Sequence, residues 1–288
     1  MSSADSRLAI SVCYVRVAAS EPQSSARFAS DILGLQRVAE QDGEVAFRSD
    51  NRFRTLSFSR GDAASVGIEM MDEQALDVAE RRLGDAGFSV RRAAAEECSV
   101  RYVQAALLAE DASGNAIDLV VRPQQSGRRY FPSRDAGVVQ FHGVGMRSTN
   151  VERDTEFWKT LGAAVSDWVG DIAYLRIDHW HHRIALYPSG QRGILYAAFE
   201  VEALDQVMQN SYFMQERQVK LVQGPGRQPA SEQIFVHVEG PDGMIYSYVH
   251  GMRMVDPQRC RPRQFARVRD SLCAWGSEAD GVAELSAE

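Results

Sequence analysis

A chain of 288 residues with 44% hydrophobic and 25% charged side chains is long enough to bury one or two full cores and has the composition of a globular protein. No apolar run nears the ~18 residues that a spanning helix needs, and the opening Met1-Ser2-Ser3-Ala4-Asp5-Ser6 lacks a basic-then-apolar leader pattern, so a cytoplasmic protein with no membrane partner is expected. The net charge of −7 opposes phosphate binding, so no nucleic-acid partner is expected.

The predicted elements come in a repeating order. An alternating strand over 10–17 is followed by a helix over 26–33, which Gly34 stops in the left-handed conformation. Paired strands follow at 44–50 and 55–58. A second group then runs as a strand at 66–70, a helix over 73–86, and strands near 100–108 and 116–121. The stretch 123–137, rich in Gln, Ser, Gly, Arg and Pro, reads as a linker between a first domain, 7–122, and a second, 138–252.

The second domain repeats the first at an offset of about 128 residues: Arg48 corresponds to Arg176, Asp50 to Asp178, Gly34 to Gly162, Gly114 to Gly243 and Tyr14 to His142. Its strand at 139–146, helix over 155–161 with Gly162 as stop, and strands at 172–178 and 183–187 match the first group. Strands at 195–201, 233–238 and 244–249 and a helix over 203–217 match the second. The chain thus reads as four βαβββ units, an α+β fold of two cup-shaped mixed sheets flanked by helices. The tail, 253–288, is Arg-rich and then Ala/Glu-rich; a helix covering a sheet edge or a dimer contact is the expectation.

All six histidines fall in the second copy, which points to it as the seat of any imidazole chemistry. Cys13, Cys98, Cys260 and Cys273 lie far apart with no CxxC or Cys/His spacing, so zinc and disulfide frameworks are disfavoured. Asp50 and Asp178 recur in both copies and read as turn-forming residues. On an extended strand adjacent side chains point oppositely, so of His181 and His182 only one should face the cup. By the same alternation His250 should face away from Ser247.

The stretch 226–237 followed by 239–248, with its Pro241-Asp242-Gly243 turn, and the run His181-His182-Arg183-Ile184-Ala185-Leu186 resemble the vicinal oxygen chelate superfamily, and within it the two-domain extradiol ring-cleaving dioxygenases. The resemblance covers nearly the whole chain and implies two tandem vicinal oxygen chelate domains, the first structural and the second holding Fe(II), sometimes Mn(II), on two His and one Glu. The implied ligand positions are His142, Tyr196 and Ser247, of which only His142 keeps the family's residue. The resemblance also places His182 where the family has a substrate-side imidazole, His237 at an active-site Tyr, and Gln228 at a second substrate-binding His.

One imidazole with a neutral phenol and a hydroxyl is a poor set for ferrous ion. No metal is therefore expected, with Fe(II) or Mn(II) only if Glu200, Glu202 or His250 rebuilds the site across a bulge. The leading expectation is an enzyme acting on an aromatic or polycyclic phenolic compound by metal-independent acid/base chemistry, with His182 and His237 catalytic and His142, Tyr196, Gln228 and Ser247 on the substrate. The alternatives are an iron ring-cleaving enzyme with a rearranged triad, a non-catalytic protein that sequesters an aromatic compound, and a scaffold partner of a genuine dioxygenase. In the first copy the corresponding residues are Tyr14, Ser65 and Asp118, read as structural. Self-association is expected from the open edges of such sheets.

Overall fold

The computed structural model describes residues 8–41, 43–61 and 64–287. Four βαβββ units follow one another. The first is β1 (Ala9–Ala18), α1 (Pro22–Arg27), β2 (Gln36–Gln41), β3 (Glu44–Arg48) and β4 (Leu56–Ser59). The second is β5 (Ser65–Met70), α2 (Glu73–Asp85), β6 (Val90–Arg92), β7 (Ala105–Glu110) and β8 (Ala116–Val121), with a short added helix α3 (Ala95–Arg101) before β7. The third is β9 (Val138–Ser148), α4 (Val151–Thr160), β10 (Ala164–Val169), β11 (Ile172–Arg176) and β12 (Ile184–Pro188). The fourth is β13 (Gly193–Val201), α5 (Leu204–Glu216), β14 (Leu221–Arg227), β15 (Ile234–Glu239) and β16 (Ile245–His250).

The sheets confirm the duplication strand by strand. The first runs β2-β3-β4-β1-β5-β8-β7-β6; the second, read in the same direction, runs β10-β11-β12-β9-β13-β16-β15-β14. In each, the opening strand pairs parallel to the fourth and antiparallel to the first strand of the next unit.

Local chemistry explains the helices. Pro22 opens α1, where its missing N–H is not needed. Asp72 caps α2 by accepting from the Ala75 N–H, and Asn150 caps α4 by accepting from Arg153. α1 continues as one wider turn, Phe28–Ile32, before Gly34 takes φ +78°, and Gly162 takes φ +91° after α4. Both stops lie where the sequence puts them. The strand expected near 100–108 begins only at Ala105, because Glu97 reaches back to the Ala94 N–H and closes α3 instead. Apolar residues of the convex faces and helices of both halves merge into one core.

The tail does not form the expected helix. Its strand β17 (Arg263–Phe265) adds parallel to β10 and covers that sheet edge, followed by a single turn, α6 (Arg269–Leu272). The rest crosses the concave side of the second sheet, where Cys273 and Leu285 are buried and Phe265, Leu272, Ala279 and Val282 pack. Among the described residues no helix is long and apolar enough to cross a membrane.

Candidate functional site

Period-two alternation along β13 builds the floor of the second cup: Tyr196 and Ala198 face the concave side, while Ala197, Phe199 and Val201 join the convex core. Tyr196 lies across Gly145 of β9, where a Cβ would sit 2.2 Å from its ring. Glycine at that position is therefore what lets the ring lie down. The Tyr196 hydroxyl is 3.5 Å from that of Tyr187 on β12, and the Tyr187 phenol adjoins Tyr174 on β11. Burial pushes all three phenols above their usual range, so they are neutral.

His237 on β15 stands opposite Ser247 on β16, and its Nδ1 makes a short hydrogen bond to the Ser247 Oγ. Its ring lies 5.3 Å from Tyr196 and 4.6 Å from Phe235, centroid to centroid. Burial alone pushes its pKa down to about 3. His182 sits across the cup with its ring 4.6 Å from Tyr174, and burial, with His181, His142 and Arg183 nearby, holds it well below the usual imidazole range. Both rings are thus neutral at pH 7.

The sequence-based expectation that His181 and His182 face opposite ways is wrong. β12 begins only at Ile184, so the pair lies in the preceding turn, where strand alternation does not apply. His181 is fully buried; its Nδ1 is 3.1 Å from Nδ1 of His182 and its Nε2 is 2.8 Å from Oδ2 of Asp167. Arg263 from the tail and Arg253 also converge on Asp167. Burial opposes the charge of Asp167, but His181 and Arg263 overcome it and hold its carboxyl below the carboxylate range. The tail pins the turn as well: the His181 N–H donates to the Arg253 carbonyl at 3.1 Å.

His142 belongs to a separate group. Gly143 pairs with Ala198 and Phe141 with Phe199, so His142 is the extra residue of a bulge. That bulge brings it within 3.5 Å of the Glu200 carboxylate. Its Nδ1 also lies 3.2 Å from the Arg183 guanidinium, and its Nε2 is 3.2 Å from the Gln233 amide. Burial lowers its pKa although Glu200 works the other way. Burial likewise disfavours charge on Glu200, yet His142, Gln140 and Arg183 hold it below its usual value.

Gln228 is buried in the turn between β14 and β15, where its side-chain oxygen accepts from Ser231 at 2.7 Å. His250 bonds the Val201 carbonyl through Nδ1 at 2.9 Å, and Glu202 is exposed. Among the expected site residues, then, His237, Ser247 and Tyr196 come together, with His182 across the cup. Sequence reasoning missed Asp167, Tyr174, Tyr187 and Gln233; the clustering of aromatic residues on 172–187 was the available signal for the two tyrosines.

The family's ferrous site does not fit this donor set. Both ring nitrogens of His142 are engaged, Tyr196 is a neutral phenol, and Ser247 is bonded to His237. The bulge does bring Glu200 to His142, but the Arg183 cation occupies the same spot, and among the described residues no three His, Cys, Asp or Glu side chains converge as ligands.

A profile of the glyoxalase/bleomycin resistance protein/dioxygenase superfamily matches residues 140–246. The chain is 27% identical to 3-methylcatechol 2,3-dioxygenase of Pseudomonas putida over 91% of its own length and 95% of that protein's. Among solved structures it resembles a catechol 2,3-dioxygenase at TM-score 0.85 and 17% identity, covering 97% of each chain. A Mn(II)-bound glyoxalase from Novosphingobium aromaticivorans superposes at TM-score 0.85 and 19% identity, over 98% of this chain and 95% of that one. The profile covers most of the second cup, the relative spans both, and the paired cups repeat the fold, so the chain resembles the glyoxalase/bleomycin resistance/dioxygenase, or vicinal oxygen chelate, superfamily and within it the extradiol dioxygenases.

Proposed function

We propose that the second cup binds a small neutral phenolic compound and acts on it as an extradiol-dioxygenase-like enzyme that has exchanged metal chemistry for proton transfer. One observation carries this reading. His182 and His237 each use Nδ1 on a protein partner, and among the described residues Nε2 of neither has a hydrogen-bond partner, although both side chains are buried. Neither Nε2 is among the fully enclosed unpaired atoms of the described residues, so each keeps access to open space beside aromatic rings, where a ligand with oxygen atoms and an apolar body can meet it.

In this reading His182 Nε2 accepts the proton of a phenolic or enolic O–H, and His237 Nε2 meets a second ligand oxygen. The three phenols stay neutral and select an uncharged ring. Burial makes an isolated imidazolium unfavourable, but proton transfer creates a phenolate beside it, and the attraction between adjacent opposite charges in a dry site offsets that penalty. An open cleft of about 1090 Å³ lies beside Ile245, the strand partner of Tyr196, but His182, His237 and Tyr196 do not line it. The depth of burial that drives His237 to about 3 also favours a second reading, a protein that sequesters an aromatic compound without converting it.

The test is metal analysis of the purified full chain together with binding and turnover of a panel of catechols and other phenols. Tight binding with substoichiometric metal supports the proposal; one firmly held iron per chain with ring-cleaved product overturns it. Binding with no product from any ligand, and only affinity lost in His182→Gln and His237→Gln, establishes the sequestering reading instead.

A further inference from the structure

We propose that Asp167 and His181 are positioning residues that fix the proton of His182 on Nδ1 and leave its Nε2 as a bare lone pair. The assignment follows from which atoms can donate. Asp167 receives the Arg263 N–H at 2.8 Å, the Arg263 Nη2 at 2.6 Å and the Arg253 Nη2 at 3.2 Å. It is a carboxylate and can only accept. The 2.8 Å contact from His181 must therefore carry its hydrogen on Nε2 of His181.

His181 is neutral. Two guanidinium groups already answer the charge of Asp167, and full burial opposes a further cation. A neutral imidazole with hydrogen on Nε2 presents a bare Nδ1. Facing it at 3.1 Å is Nδ1 of His182, which must then be the donor. The carboxylate thus dictates the tautomer of a ring it does not touch, through one intervening imidazole.

His237 offers the contrast within the same cup. Its Nδ1 partner is the rotatable hydroxyl of Ser247, which donates or accepts equally well, so that contact leaves the tautomer of the ring open. His182 is set as the proton acceptor and His237 is adjustable. When Nε2 of His182 takes a proton, its Nδ1–H bond to His181 becomes charge-assisted and stronger, so the chain that orients the base also stabilises its protonated form. This deepens the acid–base reading above and rests on it for the role of base, but the tautomer itself exists with or without a ligand.

The experiment is ring-nitrogen NMR on full-length protein labelled with 15N-histidine, in which long-range couplings distinguish protonated from bare nitrogens and His182→Gln assigns the His182 signals. Wild type is expected to show His182 with hydrogen on Nδ1 and none on Nε2. Asp167→Ala removes the oxygen Oδ2 that His181 Nε2 shares with Nη2 of Arg253 and Arg263, so both rings are expected to lose their single tautomer. Hydrogen on Nε2 in wild type, or an unchanged His182 in Asp167→Ala, overturns the proposal. If Asp167→Ala does not fold, His181→Gln cuts the chain at its middle while sparing Asp167 and its arginines; loss of the single tautomer at His182 supports the proposal and retention of it overturns it. No turnover enters this readout. A failure to bind phenols would sink the proposed function and leave the tautomer standing, and a wrong tautomer in a phenol-binding protein would sink only the relay.

Discussion

The two cups come from one repeat and have opposite polar logic. In the first, Tyr14 and Ser65 donate to the single carboxylate Asp118 at 2.9 and 2.8 Å, and Arg101 closes an ion pair with it at 3.0 Å. The Arg54 guanidinium lies over the Tyr14 ring at 4.9 Å. Those groups converge on each other, which is how a buried polar cluster serves structure. In the second, His182 and His237 take one protein partner each and leave Nε2 over, while His142 and His181 use both nitrogens. The shared feature is a tyrosine on a glycine: Tyr14 lies on Gly67 as Tyr196 lies on Gly145, each leaving no room for a Cβ. Unpaired capacity exists in both cups, since Arg54 Nε and Nη2 are buried without hydrogen-bond partners in the first; the difference is chemical, fixed cations around a carboxylate there and neutral imidazoles able to accept a proton here.

The sharpest way to break that contrast is to remove the free nitrogens. With a phenol that the protein turns over, His182→Gln is expected to lower kcat by about 10²–10⁴-fold, the usual weight of a general base, while Tyr14→Phe in the first cup leaves kcat unchanged. Steady-state kinetics on both variants checks this, and an equal loss in the two would erase the distinction between the cups. The mirror experiment acts on stability. Asp118→Ala strands the Arg101 cation in the first cup and is expected to destabilise the fold by about 3–5 kcal/mol, read by urea unfolding. Ser247→Ala, which removes only a rotatable hydroxyl, should lose far less.

The two glycines sharpen the comparison at smaller magnitude. A Cβ at 145 would meet the Tyr196 ring at 2.2 Å, and at 67 the Tyr14 ring at 2.6 Å. Gly145→Ala and Gly67→Ala are each expected to lose about 1–3 kcal/mol through forced side-chain shifts. Only Gly145→Ala should also weaken phenol binding, because only there does the displaced ring line the site. Calorimetric titration beside thermal melts separates the two outcomes.

What was legible in the sequence was local or periodic. The 128-residue repeat, the alternating strands and the glycine stops at 34 and 162 all follow from short-range rules, and the structure carries each. What was not legible depends on distant segments. Asp167 lies on β10, a strand the sequence reading did not place, and its meaning comes from Arg263, 96 residues later, arriving on the tail strand. His181 was misplaced because strand alternation was applied to two residues that precede the strand, which begins at Ile184, and in a turn that alternation does not hold. His142 and Glu200 meet only through a bulge, which inserts one residue and defeats counting by twos.

The smallest effect per measured step is in the pH dependence of stability, and it too divides the halves, since every histidine lies in the second. His237 is pushed down to about 3 by burial, against about 6.5 when unfolded. Between those values the unfolded chain binds the extra proton and the folded one does not, so stability is full above pH 6.5 and falls as the pH drops toward 3. The slope from one such group is up to about 1.4 kcal/mol per pH unit. Asp111 in the first half, raised to about 6 by burial and by Asp154, works in the opposite sense: its neutral folded form adds stability as the pH falls through the same region. The wild-type curve therefore mixes the two signs. Subtracting the curve of His237→Phe from that of wild type, in guanidinium unfolding at half-unit steps from pH 7.5 to 4 (about the span where the fold persists), removes the Asp111 contribution. The difference should slope downward as the pH falls; a flat difference would mean that water or a counter-charge reaches His237 and that the second cup is not the dry, neutral site its free nitrogens require.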